Sequence, residues 1–251
     1  GEKLVTDRSI ALAELVKNAY DADATKAIIS MKNVKEKGGT IVVKDNGLGM
    51  DFPSFINGWM RIATRKKKQQ PYSTLYNRKN SGEKGIGRFA CRKLANRLEL
   101  ETVSENEQGL KEKLKASFNW VNFEEGTNVD EIKVHYKKEV VSEETPTYTI
   151  LILKDVKDKW SEDDITKVQK DLSELITPEM FEEELVSEER LHIYDPGFII
   201  DFDIPEYTER EKALKTDFFE NAWAKLVCKI DKNGKGKLFL EVITPYPNQF
   251  D

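Results

Sequence analysis

TDRSIALAELVKNAYDA, residues 6–22, is the stretch from which the first half of the chain can be read. Polar residues at its start precede Leu12, Leu15, Val16, Ala19 and Tyr20, which recur at helical spacing. Caps followed by such a stripe predict a helix with one packed face. On the same helix Glu14, Asn18 and Asp21 stand at i, i+4 and i+7, so the three polar groups share one side and the leucine stripe takes the opposite one. A row of this kind is ordinarily a solvated face, and it needs further company before it is read as anything else.

Outward from this helix, KAIISMK (26–32) and TIVVK (40–44) are short β-branched runs on either side of Glu36-Lys37-Gly38-Gly39, hence two strands and a turn. DNGLGM (45–50) breaks the pattern, and SFINGWMRIAT (54–64) reads as helical. RKKKQQPYSTLYNRKNS (65–81) is polar, basic and interrupted by a proline, which predicts a long loop usable as a gate. GEKGIGRFACRKLANRLELET (82–102) gives a glycine turn, a helix and a strand. Strands follow at LKASFNWV (114–121), IKVHYKK (132–138) and TYTILILKDV (147–156). SEDDITKVQKDLSELI (161–176) opens on Ser161 and Asp164 in capping-box spacing and continues as an amphipathic helix. The expectation is an α+β fold, a two-layer sandwich whose mixed sheet is covered by helices on one face, occupying residues 1–178 with a basic lid at 61–84. Residues 179–251 are expected to form a second, incomplete α/β region, containing the strand FIIDFDI (198–204) and a hairpin from LVCKID (226–231) to KLFLEVI (237–243).

Composition narrows the classes. With 251 residues, 39% hydrophobic and 34% charged, the chain can bury a full core, and disorder is a minor component. Cys91 and Cys228 are too few for a disulfide framework or a zinc site, which favours a reducing, cytoplasmic setting. No run reaches eighteen apolar residues, so no membrane partner is expected. The net charge of −5 conceals an asymmetry: from Phe52 to Gly82 there is no Asp or Glu beside Arg61, Arg65, Lys66, Lys67, Lys68, Arg78 and Lys79. That stretch is expected to meet an anion. The glutamates between 179 and 189 read as a solvated face and carry no function.

Three constellations carry chemistry. Asn18 offers an amide oxygen, a hard donor suited to magnesium, which takes few protein ligands and fills its octahedron with phosphate oxygens and waters. Glu14, one turn away, is placed to orient or deprotonate a water. Asp45 ends a strand and enters Asn46-Gly47-Leu48-Gly49-Met50. This is either a plain turn or a place where glycines let a flat ligand approach and the carboxylate accepts from the exocyclic amine of adenine. A charge-assisted bond of that type contributes about 1.5–3 kcal/mol, enough to disfavour guanine about tenfold or more. Finally Gly82-Glu83-Lys84-Gly85-Ile86-Gly87-Arg88-Phe89 places glycines immediately before a helix, so backbone N–H groups and the helix dipole can face a phosphate. It lacks the Gly-Lys-Ser/Thr ending of a P-loop and does not open a first βαβ unit.

AELVKNAYDADAT (13–25), VVKDNGLGM (42–50) and GEKGIGRFA (82–90), in this order and at these separations, resemble the three ATP-binding motifs of the GHKL superfamily of gyrase B, heat-shock chaperones, histidine kinases and MutL, whose nucleotide site is the Bergerat fold. The resemblance spans roughly residues 4–178 and implies ATP and Mg2+ as ligands. By it Glu14 matches the water-activating glutamate, Asn18 the magnesium ligand and Asp45 the adenine-reading aspartate. Gly85 and Gly87 match the phosphate-cradling glycines, and Thr149 matches the threonine that helps Asp45 hold adenine. Asp21, Ala22, Gly47, Gly49, Met50, Gly82, Lys84, Ile86, Arg88 and Phe89 complete the nucleotide-lining set. Three positions depart from the pattern. Asp23 stands where MutL-like sequences tend to have glycine, Lys84 where chaperones carry an apolar residue, and Tyr148 where a glycine usually precedes the threonine.

The leading expectation is an ATPase whose lid closes on ATP and toggles conformation, with an ATP-dependent homodimer expected by analogy. A nucleotide-gated module holding nucleic acid on the basic loop is the first alternative. A histidine kinase catalytic domain is the second, and it is disfavoured because His135 and His192, the two histidines present, lie in strand-like context.

Overall fold

The computed structural model describes residues 7–59, 71–81, 87–121, 134–175, 195–210, 224–230 and 234–242. The chain divides into two compact units, Gly1–Tyr207 and Thr208–Asp251. The first is built on a seven-stranded sheet of β1 (Lys26–Lys32), β2 (Thr40–Asp45), β3 (Ala95–Glu105), β4 (Lys111–Asn119), β5 (His135–Val140), β6 (Tyr148–Val156) and β7 (Ile199–Asp203), ordered β5-β4-β3-β6-β2-β1-β7. Neighbours are antiparallel except β1 and β7, which run parallel, so the sheet is mixed. Among the described residues three helices of eight residues or more accompany it: α1 (Arg8–Asp21), α2 (Gly87–Leu94) and α3 (Glu162–Leu172).

The two-residue period of the strands sets the layers. Ala27, Ile29 and Met31 of β1, Ile41 and Val43 of β2, Leu98 and Leu100 of β3 and Leu151 and Leu153 of β6 are buried. Their alternates are not: Glu99 pairs with Lys154 at 2.5 Å and Glu101 with Lys115 at 2.8 Å on the other side of the pleat. One face is therefore core and the other carries ion pairs, the α+β sandwich expected from the alternation.

α1 lies between α2 and α3 and differs from the two-sided helix its spacing predicts. Ala11, Leu12, Ala13, Glu14, Leu15 and Val16 are buried in succession. Because helices flank it on both sides over the sheet, its polar row is not opposite to a single packed stripe; Glu14 is itself inside, at 4% exposure. Asp7 is the N-cap, accepting from Ser9 N–H. At α3 the capping box is complete: the Ser161 hydroxyl accepts from Asp164 N–H and the Asp164 carboxylate accepts from Ser161 N–H. Asp164 also takes Arg8 at 2.7 Å, which joins the starts of α1 and α3.

One expectation is corrected. The strand at 198–204, assigned from sequence to the second region, is β7 and pairs with β1 from Lys26↔Ile199 to Ser30↔Asp203; its alternating Ile200 and Phe202 complete the apolar face at the sheet edge. The run 54–64 is helical over its described part, where an α-helical turn at Phe52–Ser54 continues as a π-helix over Phe55–Trp59; the rest of it lies outside the described residues. The second unit contains the expected hairpin, β8 (Ala224–Ile230) with β9 (Gly236–Val242), in register from Ala224↔Val242 to Ile230↔Gly236. Among the described residues no helix is long and apolar enough to cross a membrane.

Candidate functional site

Asp45 is the last residue of β2, and the alternation that buries Ile41 and Val43 turns it towards the helical layer. Its neighbours in the sheet form a polar row: Asp45 pairs with Thr149 of β6, and Thr149 pairs with Thr102 of β3. Asp45 is 8% exposed, and its carboxylate accepts from Gly47 N–H at 2.9 Å. Burial pushes its pKa up from 3.8 to about 6, against the lowering effect of the main-chain bonds from Gly47 and Thr149. No lysine or arginine among the described residues offsets that burial.

The loop after Asp45 is clamped on both sides. Asn46 accepts through its side-chain oxygen from Thr25 N–H and Lys26 N–H, and its amide donates to the Thr25 hydroxyl at 2.8 Å. Leu48 N–H donates to the Ala22 carbonyl at 2.8 Å, tying the loop to the C-cap of α1, and Met50 N–H donates to the Thr102 hydroxyl at 2.9 Å. The glycines have a reason other than the approach of a flat ligand. A Cβ on Gly47 would lie 2.6 Å from the Ala22 carbonyl oxygen, and one on Gly49, at φ +73°, would lie 2.0 Å from the Val103 carbonyl oxygen. Both make room for the protein's own backbone.

The end of α1 is thereby tied to the loop. Asn18 is half-buried there, and its carbonyl accepts from Ala22 N–H at 3.0 Å. Glu14, one turn earlier, takes Lys17 at 3.1 Å. Asp21 is engaged by the segment following the basic run: its Oδ1 accepts from Ser81 N–H at 2.7 Å and from the Ser81 hydroxyl at 3.2 Å. Asp23 does the same one step on. At φ +59° it adopts a conformation that favours glycine, and its two carboxylate oxygens accept from Leu75 N–H at 2.7 Å and Tyr76 N–H at 3.1 Å. Asp23 thus anchors the loop at Leu75 and Tyr76.

Arg78 corrects the expectation that the basic stretch as a whole meets an anion. Its side chain is 2% exposed and forms a bidentate pair with Asp195, Nε to Oδ2 at 2.8 Å and Nη2 to Oδ1 at 2.6 Å. It also donates to the Ala24 carbonyl at 2.5 Å and the Gly197 carbonyl at 2.8 Å, and lies over the rings of Tyr20, Tyr76 and Phe198. Burial raises the Asp195 carboxyl, but the Arg78 guanidinium and Gly197 N–H hold it below the usual value. This arginine joins residues 71–81 to the approach to β7.

Of the glycine turn, Gly87 begins α2 and Phe89 is half-buried on it; Gly82, Lys84, Gly85, Ile86 and the Arg88 side chain lie outside the described residues, as does the basic run 61–70. Thr102, Arg78 and Asp195 carry interactions the sequence reading did not single out. For Thr102 a signal was present: it occupies an inward position of the strand pattern after Leu98 and Leu100. Among the described residues no group of three or more His, Cys, Asp and Glu side chains is arranged to hold a metal ion.

A 36% identical stretch of 83 residues, 33% of this chain, is shared with a putative type II restriction enzyme, HgiDII, of Herpetosiphon aurantiacus, of which it spans 13%. Among solved structures, the ATPase region of Saccharomyces cerevisiae topoisomerase II is similar at 15% identity and a TM-score of 0.49, over 88% of this chain and 55% of that one. The same region bound to ICRF-187 (dexrazoxane) gives the same identity and TM-score over 90% and 56%. The chain therefore spans about half the length of those structures. A family profile described as histidine kinase-, DNA gyrase B- and HSP90-like ATPase matches residues 6–147, more than half of the chain, and the protein belongs to that family.

Proposed function

We propose that this domain binds ATP with magnesium between α1, the 45–50 loop and the threonine row, and hydrolyses it slowly to drive a conformational or dimerisation switch. The observation that carries the reading is Asp45: a buried carboxylate bonded to main-chain N–H groups, whose burial no cation among the described residues offsets. Such a group costs stability, and perturbed carboxyls of this kind concentrate at functional sites. An exocyclic amine is the donor it lacks. Family membership supports ATP as the ligand.

Asn18 is the residue to hold magnesium. The donor type fits: Asn18 presents a half-buried amide side chain on the last turns of α1. A cation that takes few protein ligands and keeps phosphate oxygens and water suits this arrangement better than one that needs a protein cage. The metal would supply charge neutralisation of the phosphates. Glu14, inside the helical layer one turn from Asn18 and 3.1 Å from the Lys17 ammonium, is the proposed base for water. Gly85, Gly87 and the basic lid are the proposed phosphate contacts.

Two substitutions test the reading. Asp45→Ala should abolish ATP binding, and Glu14→Ala should retain binding while losing turnover by about a hundredfold or more. Normal phosphate release by Glu14→Ala would remove Glu14 from its role. The resemblance to a putative restriction enzyme favours a second reading, in which the ATP cycle serves a nucleic-acid transaction. Salt-dependent DNA binding that disappears when Arg65, Lys66, Lys67 and Lys68 are neutralised would support it.

A further inference from the structure

Thr102 is fully buried, and its hydroxyl oxygen has three partners: Met50 N–H at 2.9 Å, the Tyr148 carbonyl at 2.8 Å and the Thr149 hydroxyl at 3.2 Å. A hydroxyl has one proton and two lone pairs, so the direction of each bond can be worked out. Met50 N–H can only donate, which takes one lone pair. The Tyr148 carbonyl can only accept, which takes the proton. What remains for Thr149 is a lone pair, and the Thr149 hydroxyl must therefore give its own proton to Thr102.

We infer that Thr102 is a positioning residue that fixes the Thr149 hydroxyl proton and so makes Thr149 an acceptor, alongside Asp45, towards the base of the bound nucleotide. The inference rests on the reading of Asp45 and Thr149 as the base-binding pair and extends it to specificity. Asp45, Thr149 and Thr102 stand in one row across β2, β6 and β3, so the arrangement is held by the sheet and not by a loop. With the Thr149 proton spent inward, the row presents lone pairs only. A purine carrying a 6-amino group supplies a donor to it, directly or through a water that donates to both oxygens and accepts from the amine. A 6-oxo purine brings a third acceptor to the same place. Without the Thr102 hydroxyl, the Thr149 hydroxyl is free to rotate, and it can then offer its proton to a 6-oxo group.

The test compares the dissociation constants of ATP and inosine triphosphate, which differ at this position, in the wild type and in Thr102→Val, Thr102→Ser and Asp45→Asn, with magnesium, by calorimetry. The preference for ATP over inosine triphosphate should fall about three- to tenfold in Thr102→Val, the effect of one hydrogen bond, and return in Thr102→Ser. Thr102→Cys, whose thiol bonds weakly, is measured in parallel so that a folded variant is in hand even where Met50 N–H does not tolerate valine; it should shift the same way. A general loosening of the fold would weaken both nucleotides together and leave the ratio alone, and that result, in a folded variant, overturns the role of Thr102. Asp45→Asn separates the two levels. If it collapses the ratio while the Thr102 variants do not, only the present inference fails; if it also leaves the ratio untouched, the assignment of the base-binding pair fails with it.

Discussion

Asp21, Asp23 and Asp195 on one hand and Asp45 on the other are used in opposite ways. Asp21, Asp23 and Asp195 are satisfied: backbone N–H groups of residues 75–81 occupy the first two, and the buried Arg78 fork occupies the third. Asp45 is more deeply buried than Asp195 and has main-chain donors but, among the described residues, no cation. The difference shows in their acidity, with Asp195 held below its ordinary value and Asp45 pushed to about 6. A compensated carboxylate fastens parts of a fold; an under-compensated one is a cost that a ligand can relieve.

The comparison can be broken first at its compensated end. Arg78→Met should lower unfolding free energy by about 3–5 kcal/mol in a denaturant titration, because the Asp195 carboxylate and the Ala24 and Gly197 carbonyls lose their donor together. Arg78→Lys should recover only part of this, since an ammonium cannot form the bidentate fork. A change below 1 kcal/mol would mean the cluster is not what fastens residues 71–81.

At the under-compensated end the sign reverses. The pKa of Asp45 is raised on folding, so its ionisation opposes folding: the stability it leaves intact below about pH 4 is lost as pH rises through about 6. Asp45→Asn should therefore raise stability by about 1–3 kcal/mol at pH 8, a gain that shrinks towards pH 4, read as the pH dependence of the melting temperature. The same substitution should weaken ATP. In the wild type, ATP affinity should decline as pH falls through about 6, approaching tenfold per unit, because the protonated carboxyl is a poorer acceptor for the amine. An affinity flat from pH 8 to pH 5 would separate Asp45 from the nucleotide.

The smallest effect sharpens the distinction. Asp23→Gly removes two hydrogen bonds and relieves a positive φ, two changes of opposite sign, so a net loss of about 1 kcal/mol is expected. The magnesium dependence of ATP binding should not move, whereas Asn18→Ala should reduce it. A magnesium requirement altered by Asp23→Gly would return Asp23 to the metal.

Much of this was readable from the chain. Period-two alternation gives the strands and their buried side, and local capping gives α3, because these signals are carried by neighbouring residues. The same locality is why β7 was misplaced: strand character is visible in FIIDFDI, but the partner, β1, is more than 160 residues away. α1 was read as two-sided for a related reason, since its spacing cannot report that α2 and α3 flank it. Arg78 looked like part of a basic run because composition records charge and not the carboxylate, carbonyls and rings that surround it.

By itself the sequence determined which residue types occupy the candidate site and in what order: an amide one turn from a glutamate on the first helix, and an aspartate at a strand end beside two glycines. Tertiary structure alone decided how each is used. It turned Gly47 and Gly49 towards the protein's own carbonyls, gave Asp23 to a loop, and set Thr102 behind Thr149. The reason is physical: a carboxylate or hydroxyl has the same capacity for hydrogen bonds wherever it stands, and only the groups folded around it determine how much of that capacity is left for a ligand.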